Sequence, residues 1–101
     1  MIDHLKILLE RTLTQIHTPI ILTGQLYLND FLNEYLIVTK SYRGLIGYAG
    51  KGFKGNLDSE TFLERFLPVD PVDVDETEIE FLASLCPEGT KVCTGTWLSW
   101  L

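Results

Sequence analysis

Apolar residues recur every three or four positions over residues 3–17, which is the spacing of one face of an α-helix. Asp3 stands where an N-cap residue belongs, and Pro19 disfavours helical backbone just before it. The pattern therefore predicts an N-terminal amphipathic helix over residues 3–17. Its apolar face comprises Leu5, Leu8, Leu9, Leu13 and Ile16.

From residue 20 the hydrophobic period shortens to two, which is typical of a strand. Ile20, Leu22, Leu26 and Leu28 alternate with other residues, and Gly24 provides a bend or a bulge. A second interpretation is a helix over residues 25–36. The turn-forming pairs Asn29-Asp30 and Asn33-Glu34 favour strand, loop and strand instead.

Two further strands are predicted at residues 35–41 and 45–50, joined by a turn at residues 42–44. Connections this short suit antiparallel strands, because a parallel crossover needs many more residues. The chain therefore predicts a three-stranded antiparallel meander. Residues 51–56 contain two glycines and are predicted to be a loop.

Two short helices and a last strand complete the prediction. The helices are expected over residues 58–67 and 75–86, with Asp58 and Asp75 as N-caps, and the strand over residues 91–101. The predicted fold class is a single α+β domain over residues 1–101. In it, the C-terminal strand completes a four-stranded sheet that helices cover on one face.

Length and charge restrict the classes of function that this chain can have. A chain of 101 residues is long enough to bury a core as one domain without disulfide staples or metals. The net charge is −6, which works against non-specific binding to nucleic acid or to anionic membranes. The charge is uneven, because residues 1–55 carry +2 and residues 56–101 carry −8.

The cysteines and the start of the chain indicate a compartment. Cys86 and Cys93 are close enough in sequence to close a turn by a disulfide, but without a secretory leader reduced thiols are expected. No run of eighteen apolar residues predicts a membrane span. We therefore expect a cytoplasmic protein, with no metal site and no cofactor.

An acidic segment is the first candidate site. Its six carboxylates are Asp70, Asp73, Asp75, Glu76, Glu78 and Glu80. Those of Asp75, Glu76 and Glu78 are explained by the first turn of a helix, where negative charge complements the macrodipole. The helix start does not explain the other three carboxylates. We therefore predict that the segment is an acidic surface that binds a protein partner with a basic surface, and that Phe81 is a nearby aromatic contact.

A basic hairpin is the second candidate site. No acid occurs between Tyr35 and Leu57, while four basic residues stand among glycines and tyrosines: Lys40, Arg43, Lys51 and Lys54. Backbone N–H groups of a glycine-rich loop can hold a phosphate, and aromatic rings can stack on a base. The alternative function is therefore binding of a phosphate-bearing ligand or single-stranded nucleic acid through residues 35–56. Tight turns and protected sheet edges explain the same residues structurally.

The C-terminal residues carry two tryptophans, Trp97 and Trp100. On a strand they point to opposite faces, which suits either a buried central strand or an interface. A short chain that cannot bury both rings alone would pair with a second copy, so a homodimer is a further expectation.

Catalytic residues are not predicted. No serine has the sequence context of a nucleophile elbow, and a small hydrolase or transferase built on a Cys93–His dyad rests on residue types alone. We therefore expect a small, non-enzymatic adaptor, inhibitor or regulatory subunit. An exposed acidic surface is its central feature.

Overall fold

Four strands that follow one another along the chain form the centre of the fold. The computed structural model describes residues 20–96. The strands are β1 (Gln25–Asn29), β2 (Glu34–Tyr42), β3 (Leu45–Gly50) and β4 (Phe53–Asp58). Each pairs antiparallel with the next one, in keeping with the short connections between them.

The turns between these strands need backbone conformations that only some residues adopt easily. Arg43 and Gly44 both have positive φ, 50° and 77°, as a two-residue type I′ hairpin turn requires. Gly52 has a φ of 83° between β3 and β4, and Asn33 one of 54° before β2. These turns fix the register of the four strands.

The rest of the chain adds two helices and two short strands. They are α1 (Ser59–Arg65), β5 (Leu67–Pro68), a 3₁₀ turn (Pro71–Asp73), α2 (Glu76–Ser84) and β6 (Cys93–Thr94). The sheet order is β4-β3-β2-β1-β5, with β5 antiparallel to β1. β6 also pairs with β1, in parallel, so the six-stranded sheet is mixed.

Both faces of the sheet are covered, each by a different helix. On one face Phe62 and Leu63 of α1 pack with residues of β1, β2 and β3. On the other face Leu82 of α2 packs against Leu26 and Ile37 of β1 and β2. Neighbouring residues of the central strands point to opposite faces, so both faces of β1 and β2 are apolar.

The α+β class and the strand–loop–strand prediction for residues 25–36 are confirmed. The three-stranded meander and the four-stranded sheet are wrong, because residues 51–56 continue into strand β4 and two short strands add to β1. The expectation of helices on one face only is also wrong. The predicted N-terminal helix over residues 3–17 lies outside the described residues.

Candidate functional site

The acidic segment begins with two carboxylates that cap helical turns. Asp70 accepts a hydrogen bond from the backbone N–H of Val72, at 3.0 Å, and starts the 3₁₀ turn. Asp75 accepts one from the backbone N–H of Thr77, at 3.2 Å, and starts α2. Both residues therefore stabilise local structure, although their side chains remain exposed.

The solvent side of α2 brings acidic and aromatic residues together. Its exposed positions follow the spacing i, i+1, i+4, i+5 and i+8, which places them along one stripe of the helix. Phe81 lies on this stripe with 41% of its surface exposed. We call this stripe the α2 outer face; it comprises Glu76, Thr77, Glu80, Phe81 and Ser84.

The inner side of α2 explains why these residues point outward. Leu82 is fully buried against the sheet, and Ile79, Leu85 and Cys86 pack beside it. Since these apolar positions fix the rotation of the helix, Glu76, Glu80 and Phe81 must face solvent. The structure thus unites three residues that the sequence analysis predicted at a partner surface.

Glu78 is placed apart from the other predicted acids. It is half-buried and lines a cavity of about 320 Å³ together with Lys51. Asn33, Glu34, Tyr35 and Phe53 complete the wall. One predicted acid and one predicted base therefore share a cavity at the end of the sheet, which sequence reasoning could not anticipate because they are 27 positions apart.

The four predicted basic residues do not form one site. Lys40 lies on β2 and Lys54 on β4, whereas Arg43 and Lys51 stand in turns at opposite ends of β3. The Arg43 guanidinium lies 5.1 Å above the centre of the Tyr42 ring, a cation–π arrangement. Two of the four cations therefore lie on the sheet, on strands that β3 separates, and the other two lie in separate turns.

The glycine-rich stretch does not provide a phosphate-binding loop. Gly47 and Gly50 lie inside β3, which is paired with β2 on one side and with β4 on the other. The backbone groups of such a strand bond to its neighbours and are not free to surround an anion. Gly47 is also buried, because the side chains of Lys40 and Asn56 on the neighbouring strands lie against it, and Ala49 is half-buried.

Half of one sheet face lies open beside α2. Ile37, which packs beneath α2, is opposite Ala49, and Ala49 is opposite Lys54. Lys54 and Asn56 of β4 are both exposed, so α2 does not extend over this half. We call it the open sheet face; it comprises Lys40, Tyr42, Leu45, Gly47, Ala49, Lys54, Asn56 and Asp58.

The side chains of the open sheet face lie close together at its centre. A Cβ atom at Gly47 would lie 3.2 Å from Asn56 Oδ1 and 3.3 Å from Lys40 Cβ. Tyr42 and Leu45 at one end are 59% and 53% exposed. Sequence reasoning missed this surface because it did not predict β4, the strand that carries Lys54 and Asn56.

The two thiols are free, and one of them is held in the core. Cys86 Sγ donates to the carbonyl oxygen of Val38, at 3.5 Å, and burial raises the pKa of the Cys86 thiol. A raised pKa keeps the thiol neutral and weakly nucleophilic. Between residues 20 and 96, no three His, Cys, Asp or Glu side chains form a group that could hold a metal ion.

A buried polar network ties the two ends of the described chain together. The Tyr27 hydroxyl donates to Gln25 Oε1 and accepts from the backbone N–H of Thr96, both at 2.9 Å. Gln25 Nε2 donates to Thr96 Oγ1, at 2.8 Å, and Thr96 Oγ1 donates to the carbonyl oxygen of Ile20, at 3.1 Å. The network closes on itself, so its role is structural.

The predicted interface tryptophans, Trp97 and Trp100, lie outside the described residues. In the part of the chain that the structure describes, no helix has the length and apolar character needed to cross a bilayer. Comparison with protein-family models, curated proteins and solved structures gave no match.

Proposed function

We propose that this protein is a non-enzymatic protein-binding module, an adaptor, inhibitor or regulatory subunit, that docks through the α2 outer face. The observation that carries the proposal is the position of Phe81, partly exposed on the same stripe as Glu76 and Glu80. Aromatic residues, Phe among them, are enriched in protein interfaces, and the rim around the interface core is polar. The carboxylates select partners with a basic surface and accelerate encounter.

Negative charge continues on the chain leading into α2. Asp70, Asp73 and Asp75 are all exposed, and they precede the helix directly. Val72, between the first two, is 85% exposed and adds apolar area. The proposed docking surface therefore includes the 3₁₀ turn as well as the α2 outer face.

The placement of the thiols supports a non-enzymatic role in a reducing compartment. Cys86 is packed beside α2 with a raised pKa, which suits packing better than nucleophilic attack. Both cysteines are free. Free thiols fit the cytoplasm, where disulfides are rare, and we propose that compartment for this protein.

Affinity capture from the native host tests the function. The immobilised protein is compared with the variant Glu76→Gln/Glu80→Gln/Phe81→Ala and with a matched control on α1, Glu60→Gln/Glu64→Gln, whose residues are exposed on the other face of the sheet. Quantitative mass spectrometry should show a partner whose recovery falls at least about tenfold with the α2 variant and not with the control. Equal recovery with all three proteins would contradict the proposal.

A second candidate function concerns the open sheet face. Lys40 and Lys54 share this face with Tyr42, so a phosphate-bearing strand could pair with the lysines and stack on the ring. The test is fluorescence anisotropy of a labelled single-stranded oligonucleotide at about 50 and about 200 mM salt. Phosphate binding would weaken steeply with salt, and Lys40→Gln/Lys54→Gln would reduce that slope. No binding at the lower salt removes this candidate.

A further inference from the structure

We propose that two copies of this chain pair face to face, with the α2 outer face of each docked on the open sheet face of the other. This inference rests on the proposed function, because it names a second copy as a partner of the same α2 surface. The pair has a two-fold axis that runs along the strands, midway between the two sheets. Each contact is then made twice.

The shape of one sheet face supports this arrangement. On the side where Leu82 packs on Leu26 and Ile37, α2 forms a ridge over β1 and β2, and it does not cover Lys54 and Asn56 of β4, which are exposed. A rotation about the proposed axis places the ridge of each copy above the open sheet face of the other. Both helices then lie side by side between two sheets, and each helix contacts both sheets.

The charges of the two surfaces are opposite. Glu76 and Glu80 give the α2 outer face a charge of −2, whereas Lys40 and Lys54, offset by Asp58 at one end, give the open sheet face a net charge of +1. Within one copy the inner side of α2 packs over β1 and β2. A second copy brings opposite charges together, which favours correct register over other pairings.

The apolar groups are also complementary. Gly47 is buried between Lys40 and Asn56, whereas Ala49 is half-buried and has Lys54 opposite it on β4. The Phe81 ring can pack against Ala49 and the aliphatic stems of Lys40 and Lys54. The ammonium groups gain from the aromatic face as well as from the carboxylates.

The proposed contact is of the small size that weak, transient pairs of proteins use. Three strands and about five residues of each make a platform of about 14 by 17 Å. Even when the contact is made twice, this is small for a specific interface. We therefore expect a dissociation constant on the order of 10–100 µM, as for weak reversible pairs.

Sedimentation equilibrium over a concentration range of about 5–500 µM tests the pair, with that range chosen to span the expected dissociation constant. Glu76→Lys/Glu80→Lys and Lys40→Glu/Lys54→Glu should each raise the dissociation constant at least about tenfold. The four substitutions together restore opposite charges and should restore dimerisation. Glu60→Lys/Glu64→Lys, with the same charge change on α1, should leave the wild-type constant unchanged. Circular dichroism confirms that each variant is folded.

Three results would overturn the proposed pair. The first is a molar mass of the monomer throughout the concentration range. The second is a dimer whose dissociation constant neither charge reversal changes. The third is a molar mass that rises above that of a dimer. A wild-type monomer that binds the labelled oligonucleotide would assign the open sheet face to a polyanion instead.

Failure of the pair and failure of the proposed function give different results. If capture of a partner depends on the α2 outer face while the protein stays monomeric, the dimer is wrong and the protein-binding function stands. If the charge-restored variant dimerises and no captured protein depends on α2, the second copy is the partner of this face and the wider binding function is wrong.

Discussion

Tyr27 and Phe62 meet edge to face beneath α1, with their ring centroids 4.7 Å apart and their planes at 83°. Phe62 also contacts the rings of Tyr48 and Phe66, at 5.7 and 4.9 Å. A helix of seven residues is too short to be stable alone, so this aromatic cluster is what holds α1 on the sheet.

Phe62→Ala should therefore destabilise the protein strongly. Phe62 is fully buried, and its removal leaves a cavity among three aromatic rings, so we expect a loss of about 3–5 kcal/mol in the free energy of unfolding. Urea denaturation measures this loss. Phe31→Ala is the matched control, because Phe31 is 94% exposed and should change stability by less than about 0.5 kcal/mol. Equal effects would contradict the described core.

Tyr27→Phe removes one hydroxyl from the buried polar network. Gln25 Oε1 keeps the N–H of Leu22 as a donor, at 3.0 Å, but the N–H of Thr96 loses its acceptor. We expect a loss of about 1–2 kcal/mol near neutral pH. Hydrogen exchange at Thr96 should become faster in the variant. An unchanged exchange rate would show that the hydroxyl does not bind Thr96.

The same tyrosine should make stability depend on alkaline pH. Burial raises the pKa of Tyr27 above its ordinary value near 10, so the folded protein keeps the phenol neutral where the unfolded chain ionises it. The stability that the neutral Tyr27 phenol contributes is fully present below pH about 10, and it is lost as the pH rises through the pKa of Tyr27 in the folded protein. Between pH 9 and 11 the free energy of unfolding should fall less steeply in Tyr27→Phe. Identical slopes would contradict the raised pKa.

Gly24→Ala should displace the short strand β6. Gly24 has a φ of 97°, and a Cβ there would overlap the carbonyl oxygen of Lys91 just before β6. We expect a loss of about 2–4 kcal/mol, since strain and overpacking add. Gly52→Ala is the control: its φ is 83° but the space around it is open, so the loss should be about 1 kcal/mol. Similar losses of stability in the two variants would contradict the close approach of Gly24 to the carbonyl oxygen of Lys91.

Asp58 should make α1 sensitive to acid. Its carboxylate accepts hydrogen bonds from the N–H and the hydroxyl of Thr61, at 3.0 and 2.7 Å, and these bonds lower the pKa of Asp58. The stabilisation is present above the ordinary carboxyl pKa of about 4 and is lost as pH falls through the folded value. Asp58→Ala should lower the melting temperature at pH 7 more than at pH 3. A constant difference would contradict this.

The two helices could be predicted because their signals are local. Asp58 and Asp75 stand at the N-caps, and apolar residues follow at helical spacing. Strand β4 could not be predicted in this way. Its sequence has one glycine, no β-branched residue and two charges, and it is extended because β3 pairs with it from Gly50↔Phe53 to Leu45↔Asp58. Tertiary pairing here outweighs local propensity.

The sequence does contain a pattern that indicates a sheet covered on both faces. Leu36, Ile37 and Val38 form a continuous apolar run, which is typical of a strand buried on both sides. The open sheet face has no such pattern in the sequence, because it depends on β4. The α2 outer face was within reach of sequence reasoning, since Glu76, Glu80 and Phe81 belong to one predicted helix.

The central claim is that partners bind the α2 outer face, and the footprint of a captured partner on the backbone amides tests it most directly. In nuclear magnetic resonance spectra of the isotope-labelled protein, adding the partner should shift the amides of Glu76–Ser84 most and leave those of Ser59–Arg65 unchanged. A footprint centred on α1, with the α2 amides unmoved, would contradict the account.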